Sequence, residues 1–273
     1  MSDMRLSEFD FNLPPELIAQ NQVSPRDACR LLVLDRKTGS MEHRHFFDIH
    51  EYLRAGDLLV LNNTKVFKAR LIGELGGKKV EIFLIRPYNT VIPAEVGIQK
   101  KIPLNLPFQK GEAVDPRVRE DDMGTWIALG KPGRRLKVGE MVKIPHAPLR
   151  KGGDEEMDFL CKIISKDKNG EFIVDFGLPP ARVIELANQY GHIPVPPYIK
   201  SEPKSAEDYQ TVYADEHKTG SVAAPTAGFH FTTELIDKLK ERGIEFAEIT
   251  LHVGLGTFLP IREDEISNHK MHE

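Results

Sequence analysis

The apolar positions of this chain change rhythm twice. In residues 1–62 they come as two compact runs, RLLVLD at 30–35 and DLLVL at 57–61. Turn chemistry at 37–39 closes the first run. Phe46 to Leu53 then reads as a short helix ended by Gly56. The second run is apolar throughout its centre, which predicts a strand buried within a sheet. Upstream, Leu13-Pro14-Pro15 breaks the chain before a helical turn at 16–20, and Ser24-Pro25-Arg26-Asp27 marks a turn. From Val66 the strands become short and alternating, punctuated by Gly76-Gly77, Gly133, Gly139 and Asn169-Gly170. That texture predicts a small antiparallel barrel. Residues 90–123 interrupt it with several prolines, no periodicity and an acidic end, as expected of a flexible insertion that leaves the fold intact.

After Gly177 helical spacing returns. Val183, Ile184 and Leu186 give residues 180–190 one apolar face, capped by Gly191. The run GHIPVPPYIK at 191–200 must be extended, and it holds His192 and Tyr198 in a stiff segment. SVAAPTAGFHFT (221–232) is followed by a helix over 234–242, with Leu235, Ile236 and Leu239 inward and Gly243 as its stop. A strand through Ile244, Phe246, Ile249 and Leu251 leads into a second glycine-rich turn, HVGLGTF at 252–258. In open α/β sheets, turns at the carboxyl ends of strands are where ligands sit. The expected fold is therefore α/β, a mixed or parallel sheet flanked by helices, with an inserted antiparallel β-barrel domain. The α/β domain takes residues 1–62 and 178–273, and the barrel takes 63–177.

Charge sharpens this division. The chain carries a net charge of -4, but residues 61–180 hold 21 Lys+Arg against 16 Asp+Glu, while the remainder holds 16 against 25. A basic middle suits phosphate contact even in an acidic protein. The two cysteines, Cys29 and Cys161, have no paired spacing, which points to a reducing compartment and away from a cysteine-based zinc site. No run of 18 apolar residues and no basic-then-apolar leader is visible, so a cytoplasmic protein without a membrane span is expected. His269 and His272 with Glu273 have metal-ligand spacing but no further ligand in view, so no metal is expected.

The candidate chemistry lies in the two late turns: Thr226, Gly228 and His230 in one, His252, Gly254, Gly256 and Thr257 in the other. Asn62, Asn63 and Thr64, at the end of the second apolar run, suit either a turn or a ligand contact. LPPELIAQ, DLLVLNNTKV, GHIPVPPYI, YQTVYA, GSVAAPTAGFHFT and TLHVGLGTF together resemble the S-adenosylmethionine:tRNA ribosyltransferase-isomerase family of the queuosine pathway. The likeness runs from about Met4 to His272, apart from 90–123.

That resemblance implies an α/β domain with an inserted barrel. It implies transfer and isomerisation of the ribosyl part of S-adenosylmethionine onto 7-aminomethyl-7-deazaguanine in tRNA, giving epoxyqueuosine, adenine and methionine. S-adenosylmethionine is then a co-substrate, no cofactor is implied, and the partner is a tRNA with a GUN anticodon. The family continues past His272, so a C-terminally shortened chain is expected; a monomer is expected as well. The chemistry needs a proton removed beside the sulfonium and a donor for departing adenine, tasks suited to His230 and His252. Thr226, Gly228, Gly254, Gly256 and Thr257 would position methionine or ribose. Asn62, Asn63 and Thr64 would bond the deazaguanine edge or ribose. Lys65, Arg70, Arg134 and Arg135 would meet tRNA phosphates. Two alternatives are a methyltransferase, which calls for a glycine-rich turn after the first strand, and an inactive tRNA-binding remnant.

Overall fold

The structure, a computed structural model, describes residues 4–88, 124–145, 159–167, 170–196, 198–200, 203, 205–258, 261 and 263–269. Two compact units share the chain: Met1–Phe67 with Ile193–Glu273, and Lys68–His192.

The first unit opens with 3₁₀ turns at Leu6–Phe9, Pro15–Leu17 and Arg26–Ala28. β1 (Arg30–Leu34) and β2 (Met41–His45) then form an antiparallel hairpin. Asp35 fixes its turn, because its Oδ1 accepts from the backbone of Thr38 at 3.0 Å and Lys37 at 2.7 Å. Those bonds hold the Asp35 carboxyl below the usual range. A hairpin after the first strand leaves no place for the glycine-rich strand-to-helix turn of a methyltransferase. The stretch after β2 is helical as expected, but as a 3₁₀ helix over Phe46–Glu51.

β3 (Leu58–Asn62) corrects one expectation. Leu61 is buried, yet Leu58 and Val60 are 55% and 56% exposed, so only one face of the strand is covered. Its sequence is apolar on both faces, so alternation alone does not reveal which face is open. β4 (Lys65–Val66) follows it.

The second unit is a closed antiparallel barrel. Its strands are β5 (Arg70–Leu75), β6 (Lys78–Pro87), β7 (Thr125–Lys131), β8 (Met141–Ile144), β9 (Phe159–Lys166) and β10 (Glu171–Asp175). They close in the order β10-β7-β6-β5-β8-β9. Alternate residues point inward, and Leu71, Ile82, Leu84, Trp126, Ile163 and Phe172 fill the interior at 0–1% exposure. Cys161 is buried among them, and burial pushes its thiol pKa upward. The insertion at 90–123 lies outside the described residues; on either side of it, β6 and β7 pair as far as Pro87 and Trp126.

α1 (Pro180–Tyr190) belongs with this barrel, not with the α/β unit to which a boundary at 177 assigns it. Asn188 Oδ1 accepts from Lys68 N at 3.0 Å, and Arg70 and His192 exchange backbone hydrogen bonds at 3.2 and 2.8 Å. An amphipathic helix buries its apolar stripe on whichever surface is nearest, and the sequence does not say which.

The first unit resumes with β11 (Thr219–Ser221), α2 (Thr233–Glu241) and β12 (Glu245–Ile249). α2 starts at Thr232, whose side chain accepts from Leu235 N at 3.1 Å, and the chain turns at Gly243 with φ +81°. Leu235, Ile236 and Leu239 bury against Phe46, Leu61, Phe231 and Ile244. β12 lies parallel to β3, from Glu245 opposite Leu58 to Ile249 opposite Asn62. β11 lies parallel to β4. The carboxyl ends of β3 and β12 therefore point the same way, and the loops that follow them, at 62–64 and 250–254, leave from that side.

Candidate functional site

Asn62 and Asn63 tie the β3 end to the strand beside it. Asn62 Oδ1 accepts from Leu251 N at 3.0 Å and from Thr64 N at 3.2 Å, and its Nδ2 donates to Leu251 O at 2.9 Å. The side chain thus continues the β3–β12 ladder by two residues. Asn63 is buried; its Nδ2 donates to Glu248 Oε2 at 3.0 Å, and its Oδ1 accepts from Thr250 Oγ1 at 2.7 Å. Both carboxamides hold the loop, and the asparagine pair is occupied within the protein.

Thr64 leads to the first histidine. Its hydroxyl is buried and lies 2.8 Å from His252 Nδ1 and 3.4 Å from Lys218 O. Gly220 lies flat against the same imidazole: a β-carbon there would come within 2.9–3.1 Å of three ring atoms. His252 thus has its Nδ1 edge in the protein and its remaining surface exposed. Partial burial and the Lys218 charge lower its pKa.

Ser221 joins the two turns. Its hydroxyl, fully buried, lies 2.7 Å from Ala223 O and 3.3 Å from Val253 O, and accepts from Val253 N at 2.8 Å. Val222 N donates to Val253 O at 3.1 Å, and Ala223 forms an antiparallel bridge with Val253. The start of the 221–232 segment and the residue after His252 are therefore neighbours.

His230 ends a 3₁₀ helix, Thr226–His230. Its Nδ1 lies 3.0 Å from Cys29 Sγ, and its ring lies 5.3 Å from that of Phe46. Burial lowers its pKa. Gly228 is buried in the same turn, with the Tyr213 hydroxyl and Thr211 Cγ2 packed against its α-carbon. Thr226 and Thr257 are exposed, and Gly254 has open space where a side chain would stand. Thr257 and Gly256 belong to a 3₁₀ helix, Leu255–Phe258.

The four basic candidates sit on different elements. Lys65 is not on the barrel: β4 pairs with β11 in the first unit, and its ammonium sits 3.0 Å from Glu216. Arg70 pairs with Glu81 at 3.0 Å on the barrel wall. Arg134 and Arg135 are exposed in the β7–β8 connection, where Arg135 Nη1 reaches Lys79 O at 3.5 Å.

Sequence reasoning passed over Cys29, Tyr213, Gly220 and Ser221. Ser221 and Gly220 sit inside the quoted motif, but nothing in their spacing announces a buried cross-link. Gln210 is a further case. Its carboxamide pairs with both Val66 N, at 3.0 Å, and Val66 O, at 2.8 Å, which clamps the segment after Thr64. Among the described residues no group of three or more His, Cys, Asp or Glu gathers to hold a metal. No helix among them is long and apolar enough to cross a membrane.

The lowered histidines give a pH prediction. Both fold with the neutral ring favoured, so the unfolded chain binds protons first on acidification. The stability involved is complete above the ordinary value of 6.5 and is lost as pH falls through the lowered folded values. Melting temperature is expected to drop below pH 6.5, and less steeply in His252→Gln. An equal slope in both proteins would refute the assignment.

The family model described as queuosine biosynthesis protein matches residues 6–273. Relatives named S-adenosylmethionine:tRNA ribosyltransferase-isomerase include one from Sulfurihydrogenibium sp. (strain YO3AOP1), 43% identical over 99% of this chain and 67% of its own length. Another, from Thermotoga maritima, is 44% identical over 99% of this chain and 66% of its own. A third, from Clostridioides difficile, is 40% identical over 98% and 66%. A crystal structure of an S-adenosylmethionine tRNA ribosyltransferase from Thermotoga maritima is 34% identical, covering 91% of this chain and 59% of that one, with a TM-score of 0.31. The chain spans about two thirds of the length of the curated relatives it matches. With its late glycine-rich turns, a histidine in each, and its barrel, the chain belongs to the queuosine biosynthesis protein family.

Proposed function

We propose that this chain carries the S-adenosylmethionine-handling site of a tRNA ribosyltransferase-isomerase. The reaction moves the ribosyl part of S-adenosylmethionine onto 7-aminomethyl-7-deazaguanine in tRNA, isomerises it to epoxyqueuosine, and releases adenine and methionine. S-adenosylmethionine is a co-substrate in this reading, and no bound cofactor enters it. The observation that carries the reading is the pair of loops joined at Val222 and Val253, each bearing a histidine whose neutral form is favoured. Neutral imidazoles suit a reaction that removes one carbon-bound proton and releases a purine. Thr226 and Thr257 are exposed on these turns and Gly254 has open space beside it; together with the backbone of Gly256 they would position methionine or ribose groups. Asn62, Asn63 and Thr64 act here through the protein, holding the loop and His252 rather than meeting the base directly.

The test is incubation of the 273-residue chain with S-adenosylmethionine and tRNA bearing the deazaguanine precursor. Free adenine and an epoxyqueuosine mass in the nucleoside digest support the reading. S-adenosylhomocysteine in their place would reassign the chain to methyl transfer, and neither product would refute the activity.

The partner is a tRNA with a GUN anticodon, met by a monomer in the cytoplasm. Of the four basic candidates, Arg134 and Arg135 are the exposed pair on the barrel, whereas Lys65 and Arg70 each have a carboxylate at 3.0 Å. Replacing both with alanine is expected to lower the slope of log affinity against log salt by about 1.8 for duplex RNA contacts or about 1.4 for single-stranded ones. An unchanged slope in a filter-binding titration would remove them from the interface.

A further inference from the structure

Cys29 is set rigidly beside His230. It follows the 3₁₀ turn Arg26–Ala28, whose Arg26 guanidinium donates to Gln210 O at 2.7 Å and Glu207 O at 2.9 Å. Its own carbonyl accepts from Phe46 N at 2.9 Å. The Phe46 ring then packs edge-to-face on Phe231 at 5.0 Å and lies tilted against His230 at 5.3 Å. The imidazole is therefore placed by the thiol on one atom and by a core aromatic on one face. The S···N distance of 3.0 Å leaves room for one shared hydrogen and nothing else.

The position of that hydrogen follows from the chemistry of the two atoms. Burial pushes the Cys29 thiol up and the His230 imidazole down, so near neutral pH both are uncharged. An imidazole nitrogen is a strong acceptor and a thiol sulfur a weak one. The bond accordingly runs from S–H to Nδ1, and the ring's own proton must stand on Nε2.

We propose that Cys29 is a positioning residue that holds His230 in its Nε2–H tautomer, so that His230 presents a neutral hydrogen-bond donor to substrate and not a base. This inference rests on the ribosyl-transfer reading of the site and divides its labour. His230 would donate a hydrogen bond to a nitrogen of the departing purine, and proton removal falls to His252. No proton leaves His230 in that role: the purine departs with the C–N bonding pair, its charge held by the hydrogen bond, and takes its proton from water on release, so the thiol needs no change of charge. The contribution of Cys29 is geometric and tautomeric.

The experiment uses the 273-residue chain labelled with ¹⁵N in its histidine rings, with His230 signals assigned by loss in His230→Gln. The wild-type ring is expected to show its proton on Nε2 and an unprotonated, hydrogen-bonded Nδ1. Cys29→Ser, which keeps a donor, should preserve that pattern. Cys29→Ala should release the ring into a mixture of tautomers and raise its titration midpoint. Adenine release should fall about two- to tenfold in kcat for Cys29→Ala with KM unchanged, and recover in Cys29→Ser. A wild-type proton on Nδ1 overturns the proposal, as do identical ring spectra in wild type and Cys29→Ala. Equal disturbance by serine and alanine overturns it too, since only packing would then be at work. Failure of the wild-type chain to release adenine, with the ring spectra as expected, counts against the ribosyl-transfer reading and leaves the tautomer assignment standing.

Discussion

Replacing His252 with alanine is expected to slow adenine release by about 10²–10⁴-fold, the range for losing a general base. The ring is held for that role from two sides. Thr64 Oγ1 meets Nδ1 at 2.8 Å, and Gly220 leaves the space the imidazole fills. If Nδ1–H donates to Thr64, the threonine hydroxyl can pass its own hydrogen toward Lys218 O at 3.4 Å. Nε2 is then left with its lone pair outward, ready to accept a proton. The lowered pKa keeps that lone pair available near neutrality. Gly220→Ala is the companion: it retains the imidazole but drives a methyl group to within 2.9 Å of it. That variant should lose kcat while keeping KM and its circular dichroism spectrum, because the ring is displaced and not removed. Adenine release by His252→Ala at the wild-type rate would show that the proton goes elsewhere.

The two late turns, the amphipathic α2 and the barrel could be read from the chain because each rests on local chemistry. α2 announces itself through Thr232, Leu235, Ile236, Leu239 and Gly243, all within one stretch of sequence. The barrel shows itself through alternation and regularly spaced turns. What could not be read depends on partners distant in sequence. Leu58 and Val60 look like core residues because they are apolar, and their exposure follows from which strands and helices lie against β3. α1 has a clear apolar stripe, but its surface of contact is chosen by Lys68 and Arg70 more than a hundred residues upstream. In the site, Asn62 and Asn63 have the composition of ligand contacts, and only the parallel pairing of β3 with β12 shows them bonding to Leu251, Glu248 and Thr250. Cys29 gives no signal in its spacing because its partner is a histidine 201 residues away. Functional residue types are thus visible locally, while the residues that orient them are a property of the assembled fold.

Gly228→Ala is expected to destabilise the chain by about 3 kcal/mol, the upper part of the usual range for overpacking a fitted interior. Gly228 is buried, and its missing side chain is what allows Tyr213 to approach: a β-carbon would overlap the Tyr213 hydroxyl and lie 3.0 Å from both Tyr213 Cζ and Thr211 Cγ2. Tyr213 cannot retreat freely, because its ring packs against Phe231 at 6.4 Å on the edge of the α2 core. Thr211 is 5% exposed and has little space to yield. The 3₁₀ helix Thr226–His230 must therefore shift outward, carrying His230 away from Cys29 and Phe46. Activity and stability are expected to fall together in this variant, unlike the selective loss in Gly220→Ala. Tyr213→Phe removes the overlapping oxygen, so the double variant should recover a measurable part of the loss, a coupling that separates this clash from general loosening. Denaturant titrations of the two single variants and the double variant decide the matter. Simple additivity would place the cost of the methyl group somewhere other than the Tyr213 hydroxyl, and Gly228 would then be required for the path of its backbone.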